Sequence, residues 1–404
     1  MGSEWREFGN LYQEPSRNGL TRPRRVRGDG VKMVNMGELF AHSRIRDIEM
    51  DRVPLSEDEA RHYLLQNKDL LFARQSLVLE GAGKCSIYLG AIEPVTFEGH
   101  LIRVRLNKDL ADSLFYYYFF NSGLGRAAIK SIVEQVAAAG IRGSDLAKLR
   151  VPYPPLPEQR AIAHILGALD DKIELNRRMN ATLEGMARAL FKQWFVDGAE
   201  EGWDVKAISD LADINAWTLS KTDELDRIDY IEISEVSRGT INNIQTYQRG
   251  EEPSRARRRL RHGDTVLSTV RPERESYFLC LNPSPNLIAS TGFAVVTPNV
   301  APWSFIHAAL TRSEVFESLG HLADGGAYPA IRPEVIGQWQ VAWPSDYAIV
   351  DKFHKACSPL FEKAELNRRA SRTLAALRDA LLPRLISGEL PVKDAERFIT
   401  SSSP

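Results

Sequence analysis

Pro157-Glu158-Gln159-Arg160-Ala161-Ile162-Ala163-His164-Ile165-Leu166 opens a stretch that runs to Trp194-Phe195-Val196, and the periodicity of that stretch decides the fold. Steps of four and three residues from Ile162 fall on Leu166, Leu169, Ile173, Asn176, Asn180, Leu183, Ala187, Leu190 and Trp194. Only the two asparagines interrupt this apolar seam, which is sustained over about four heptads and predicts one long helix. About forty residues at roughly 1.5 Å each make a rod of about 60 Å. Such a rod is not stable in water without a partner along its seam.

The partner is in the same chain. Glu174-Leu175-Asn176-Arg177-Arg178 recurs letter for letter as Glu365-Leu366-Asn367-Arg368-Arg369. The heptad frame carries over at that offset, through Phe353, Cys357, Leu360, Ala364, Asn367, Ser371, Leu374, Arg378, Leu381 and Leu385. Matched seams with asparagine in each predict two antiparallel helices packed as a coiled coil, the asparagines disfavouring other registers at some cost in stability. Two unrelated amphipathic helices are the plainer alternative, and the exact repeat disfavours it. Pro359 and Pro383 lack the amide hydrogen that a helix interior uses, and they predict a kink or break in the second helix.

A chain of 404 residues has room for two or three domains with real cores. Its 52 basic and 53 acidic residues balance, so net charge alone argues for neither nucleic acid nor membrane. The distribution says more. Arg22, Arg24, Arg25, Arg27 and Lys32 form one basic cluster and Arg255, Arg257, Arg258, Arg259 and Arg261 another, whereas Asp197 to Glu235 is strongly acidic. Runs of this kind are most often solvated faces. Cys85, Cys280 and Cys357 are an odd number at no metal-like spacing, which predicts neither a disulfide nor a zinc site. No apolar run approaches the roughly twenty residues of a membrane span, and no signal-like segment opens the chain, so a cytoplasmic protein is expected.

Taken in order, residues 1–156 read as short strands with a few helices. Val31 to Met36, Asp69 to Arg74, Cys85 to Leu89 and Leu101 to Leu106 are strand-like, and Gly81-Ala82-Gly83-Lys84 is a turn. The aromatic-rich Ser113 to Asn121 is a buried helix, and the prolines of Val151 to Pro157 form a stiff lead-in to the long helix. The pattern then restarts. Trp203 answers Trp5, Ile228 to Val236 answers the first strand, Gly263 to Ser268 answers Lys68 to Ala73, and Tyr277 to Leu281 answers the strand at Cys85. Ser290 to Thr297 answers Thr96 to Arg105, and a helix at Ser304 to Ser318 follows. The chain is one unit written twice. This predicts an α+β protein: two tandem α/β domains in a pseudo-twofold arrangement, joined by two long antiparallel helices. The expected boundaries are a first domain at 1–156, a central helix at 157–197, a second domain at 198–344, a C-terminal helix at 345–388 and a flexible tail at 389–404. Inverted domains at the two ends of a rod suit a reader of two short sites on a roughly dyadic polymer, as with DNA half-sites.

Leu156-Pro157-Glu158-Gln159-Arg160-Ala161-Ile162-Ala163, then Leu169 to Arg178 with its Asp171-Lys172-Ile173-Glu174, then Leu190-Phe191-Lys192-Gln193-Trp194-Phe195-Val196, together resemble the DNA specificity subunit of type I restriction-modification systems. The resemblance in organisation covers nearly the whole chain. The second half departs from it where Ser345-Asp346-Tyr347-Ala348-Ile349 replaces a second Pro-x-Glu-Gln. The resemblance implies two target-recognition domains reading the halves of a bipartite double-stranded DNA site, with the helices as spacer. It also implies two methyltransferase subunits that carry S-adenosylmethionine and methylate adenine N6, and restriction motor-nuclease subunits that carry ATP and Mg. No cofactor is expected on this chain, and no catalysis.

An enzyme is the rival reading. Gly81-Ala82-Gly83-Lys84-Cys85 lacks the earlier glycine and the Ser or Thr of a phosphate loop. Tyr153-Pro154-Pro155-Leu156 is not an amino-methylation motif, and His164, His262, His307, His321 and His354 are scattered without metal spacing. A degenerate protein-interaction scaffold of a defence complex is the other rival. For a DNA reader, base contacts fall on loops between strands, most often through Arg, Lys, Asn and Gln. The candidates are Arg74, Gln75 and Lys84 in the first domain and Ser268, Thr269, Arg271 and Arg274 in the second, with Arg271 foremost. Arg25, Arg27, Arg257 and Arg258 are candidate phosphate contacts.

Overall fold

A computed structural model describes residues 4–135, 139–220, 222–323, 326 and 329–395. The chain divides into two compact units, Met1–Ile173 with Thr373–Pro404, and Glu174–Arg372. Both boundaries fall inside long helices.

In the first unit a five-stranded sheet has the order Tyr12–Asn18, Leu101–Leu106, Leu70–Ala73, Cys85–Tyr88, Arg44–Ile45. All four residues of the middle strand Leu70–Ala73 are buried, as expected of a short continuous apolar run covered on both faces. One cover is the helix Ser113–Asn121, started by Asp112, whose carboxylate accepts from the Leu114 and Phe115 amides. Phe115, Tyr116, Phe119 and Phe120 are fully enclosed, and burial of each such ring stabilises the unit by roughly 1.5–3 kcal/mol. A second helix, Gly123–Lys130, follows directly, with the Ser122 hydroxyl accepting from Gly125 N. A smaller sheet pairs Val31–Val34 parallel to Val95–Phe97 and antiparallel to Arg52–Val53. The edge pair Glu4–Glu7 with Arg150–Tyr153 closes the unit.

The central helix spans Leu156–Phe195. Gln159 is fully buried at its start: its carbonyl accepts from Asp112 N at 2.9 Å and its amide donates to Pro154 O at 2.9 Å. That glutamine ties the helix to both the proline lead-in and the aromatic helix, which accounts for its place in Pro-Glu-Gln-Arg. Within the first unit Ile162, Leu166 and Leu169 share a core with Leu381 and Leu385 of the C-terminal helix. The tail expected to be loose from 389 instead begins packed, because Leu390 and Ala395 carry apolar surface into the same core. Residues 396–404 lie outside the described residues.

The second unit repeats the order. Asp264–Ser268 is flanked by Tyr277–Cys280 and Phe293–Pro298, with Ala212–Ile214 beyond. Arg227–Ile231 pairs parallel to Leu287–Ser290, and Asp204–Ala207 pairs with Gln340–Trp343. The expected helix at 304–318 is two helices, Trp303–Leu310 and Ser313–His321, separated at Thr311, whose hydroxyl donates to His307 O. The arginine run expected as a solvated face contains a strand, Ala256–Arg259, paired antiparallel to Leu287–Ser290. Its three consecutive arginines hide the alternation by which a strand is usually recognised.

The C-terminal helix Tyr347–Ile386 is continuous, although Pro359 and Pro383 lie within it. Each proline forfeits one backbone bond. Phe353, Cys357, Phe361 and Ala364, buried on either side of Pro359, hold the helix through it. The asparagines in the seam are buried and bonded to one another. Asn367 Nδ2 donates to Asn180 Oδ1 at 2.9 Å, Asn180 Nδ2 to Ala364 O at 3.0 Å, and Asn176 Nδ2 to Ser371 Oγ at 3.1 Å. Ascending residues on one helix meet descending residues on the other, so the two run antiparallel here. Of the remaining seam positions, Ile173, Leu183, Leu190, Trp194, Leu360 and Leu374 are half-buried.

Candidate nucleic-acid interface

In the first unit the loops that could meet a ligand gather at one end of the sheet. Ala73 ends the middle strand beside Leu101, and Phe72 lies beside Cys85. Arg74 N donates to His100 O at 2.7 Å, and Arg74 O accepts from Ile141 N at 2.9 Å. Gln75 and Ser76 then pair with Gly140 and Ala139. The turn at Gly81 to Lys84 is tight, in keeping with a structural reading of its glycines. A Cβ on Gly81 would lie 2.2 Å from Ser76 Oγ, and Gly83 has φ +65° with Ile129 Cγ2 2.4 Å from where a Cβ would be. Arg126 holds the loop from beneath, donating to the carbonyls of Glu80, Ala82 and Gly83.

Gln75 is exposed and Arg74 half-buried, with a guanidinium bond to Gly99 O. Lys84 is placed differently from expectation: its ammonium donates to Phe40 O at 2.8 Å, at the end of the short helix Met36–Ala41, and burial pushes its pKa down. It secures a helix terminus. Arg25 is exposed in the turn Arg24–Val26, whereas Arg27 is paired with Asp51 at 2.7 Å. Their loop leaves the same end of the sheet, where Leu20 N donates to Phe97 O and Gly99 N to Leu20 O.

In the second unit Ser268 and Thr269 are buried, which corrects their expected role as outward readers. The Ser268 hydroxyl donates to Val270 O and the Thr269 hydroxyl to Gly292 O, both at 2.8 Å, so each shapes the turn. Arg271 follows with φ +49° and Glu275 with φ +53°, left-handed conformations that cost a non-glycine residue about 1 kcal/mol or more. Arg271 is half-buried and its amide donates to Pro329 O at 2.8 Å. Arg274, in the turn Pro272–Arg274, is exposed. Arg257 lies 3.7 Å from Glu252, while Arg258 Nε is buried without a hydrogen-bond partner and burial lowers its pKa. Arg255 is exposed at the same end of the unit, its carbonyl accepting from Thr291 N.

The two loops are held by the same pair of bonds. Thr269 N donates to Gly292 O and Thr269 O accepts from Ile331 N, each at 2.9 Å, as Arg74 does with His100 and Ile141. Thr269 is therefore the counterpart of Arg74. In each unit the Ile is followed by an arginine that precedes a short helix: Arg142 before Gly143–Lys148, and Arg332 before Pro333–Gly337.

Residues 33–185 match the family model for the type I restriction modification DNA specificity domain. A specificity subunit of the type I enzyme MjaIX from Methanocaldococcus jannaschii is 24% identical, over 80% of this chain and 79% of its own length. That of HindI from Haemophilus influenzae is 23% identical, over 96% of this chain and 100% of its own. The chain is thus similar to the specificity subunits of type I restriction-modification systems over most of its length. A solved specificity subunit from M. genitalium shares the fold, with a TM-score of 0.57 at 17% identity over 95% of this chain and 96% of the other.

The sequence reading missed Arg126, Arg142 and Arg332. A self-comparison of the two halves around Ile141-Arg142 and Ile331-Arg332 carried the signal for the latter two. Arg126 has no sequence signal, because its role depends on three carbonyls more than forty positions away.

Proposed function

We propose that the chain is the non-catalytic, sequence-specific DNA-binding subunit of a type I restriction-modification complex, each unit reading one half of a bipartite site. The observation that carries this reading is the repeated strand-end loop, fixed in each unit by the same two backbone bonds around Arg74 and Thr269. A duplicated scaffold that presents different side chains at one place suits two half-sites of different sequence. In the first unit Gln75, Arg74 and Arg25 are the readers and phosphate contacts; in the second they are Arg271, Arg274, Arg257 and Arg255. The paired helices act as an antiparallel coiled coil that sets the gap between half-sites. Their identical Glu-Leu-Asn-Arg-Arg segments leave Leu175 and Leu366 51% and 60% exposed. Two equivalent apolar points suit two copies of one methyltransferase subunit. S-adenosylmethionine belongs to that subunit, and ATP and Mg to the restriction subunit.

DNA binding by the assembled complex as a function of salt tests the reading. Affinity for the specific site should fall steeply as salt rises, since phosphate contacts release counterions. Salt-insensitive association, or none with DNA, favours the interaction scaffold. Among the described residues no helix is long and apolar enough to cross a membrane.

A further inference from the structure

Leu77 and Val78 stand in the loop that follows the middle strand of the first unit, 98% and 59% exposed. Single surface leucines need no explanation in general. This one is presented on a fixed support. Gln75 and Ser76 are paired with Gly140 and Ala139, Val78 N donates to Ser76 Oγ at 3.2 Å, and Arg126 grips the carbonyls of Glu80, Ala82 and Gly83. The glycines at 81 and 83 admit no side chain, so the loop has little freedom to fold its leucine inward.

Its position separates it from Ile92, the other almost fully exposed aliphatic among the described residues of the unit. Ile92 is 95% exposed but follows Cys85–Tyr88, whose far end lies beside Leu70, at the opposite end of the sheet. Leu77 is at the Ala73 end, next to the exposed amide of Gln75 and at the end from which the loop of Arg24 and Arg25 departs. On DNA the arginines suit phosphates and the glutamine suits adenine. The one apolar group on a base edge in the major groove is the C5-methyl of thymine.

We propose that Leu77, supported by Val78, reads a thymine methyl in the half-site bound by the first unit, which therefore contains an A·T pair at that position. The inference rests on the DNA-reading function proposed above and deepens it. The test uses the full chain assembled with its methyltransferase subunits, on DNA in which each thymine of both half-sites is replaced in turn by deoxyuridine. One position in one half-site should lose about fourfold in affinity with the wild-type chain, the worth of one buried methyl. Leu77→Ala, at a residue whose exposure leaves folding untouched, should lose about the same on unmodified DNA and show no further loss with deoxyuridine. The inference is overturned if wild type and Leu77→Ala respond alike, if no thymine responds, or if neither half-site contains an A·T pair. Loss of methyltransferase subunits from the Leu77→Ala complex also overturns it, assigning the loop to a protein contact. A wild-type complex that binds no DNA site at all refutes the proposed function itself.

Discussion

Asp170 on the central helix accepts a 2.7 Å hydrogen bond from Arg378 on the C-terminal helix, and a 2.6 Å bond from the Tyr118 hydroxyl. Arg378 falls at a seam position where an apolar residue is expected, and Asp170 is its reason for being there. The aspartate is nearly buried and the arginine partly exposed, with side-chain exposures of 8% and 29%. The pair anchors both helices to the aromatic helix of the first unit.

Removing one partner leaves the other charge stranded in a poorly hydrated place. Arg378→Ala should therefore destabilise the first unit by roughly 2–3 kcal/mol, less than a fully buried pair because the guanidinium reaches solvent. Hydrogen exchange of the amides at 160–173 measures this, and protection unchanged from wild type would show the pair to be dispensable.

Arg271 sits on left-handed backbone at the head of the loop in the second unit. Arg271→Gly relieves that conformation and should stabilise the unit by about 1 kcal/mol relative to Arg271→Ala, a difference read from chemical unfolding. Both variants should lose recognition of one half-site by about tenfold or more and spare the other, as for loss of a base-reading arginine. Equal loss at both half-sites would remove Arg271 from the readers.

Two buried groups of the second unit titrate in opposite senses. Burial pushes the His307 imidazole down to about 3, so its folded pKa is depressed. The associated stability is complete above the unfolded value of about 6.5 and is lost as pH falls, by about 1.4 kcal/mol per unit. Burial pushes Asp264 up to about 6, and its Oδ1 has no hydrogen-bond partner. Its stabilising contribution is complete below about 4 and lost as pH rises through about 6. Asp264→Asn should therefore raise the unfolding free energy at pH 7.5, by up to about 3 kcal/mol, and change it little at pH 4. Destabilisation at both values would contradict the assignment.

How much of this was legible follows from the kind of signal each feature leaves. The helix pair was legible because a seven-residue repeat and a duplicated pentapeptide are one-dimensional patterns, and Ser113–Asn121 because seven aromatic and apolar residues in nine admit few alternatives. Gln159, Asp170 and Arg126 act through partners distant in sequence, so their chemistry shows only in three dimensions. Ser268 and Thr269 were misread because a hydroxyl at a strand end bonds its own turn as readily as a base edge. Leu77 was passed over because a leucine is ordinarily assigned to the core.

The central helix carries the chain from one unit into the next, so its length governs the gap between half-sites under the proposed function. Insertion of four residues, about 6 Å of helix, should abolish methylation at the original site or move it to sites with a longer spacer. Methylation of the original site at full rate would rule the helices out as the spacer.

The central claim is that this chain chooses a bipartite DNA site for a methyltransferase. Its most direct test is co-expression with its methyltransferase subunit in a host lacking such a system, followed by long-read mapping of N6-methyladenine. A single new motif of two short half-sites at a fixed gap is the predicted result; a stable complex that leaves no new motif would contradict it.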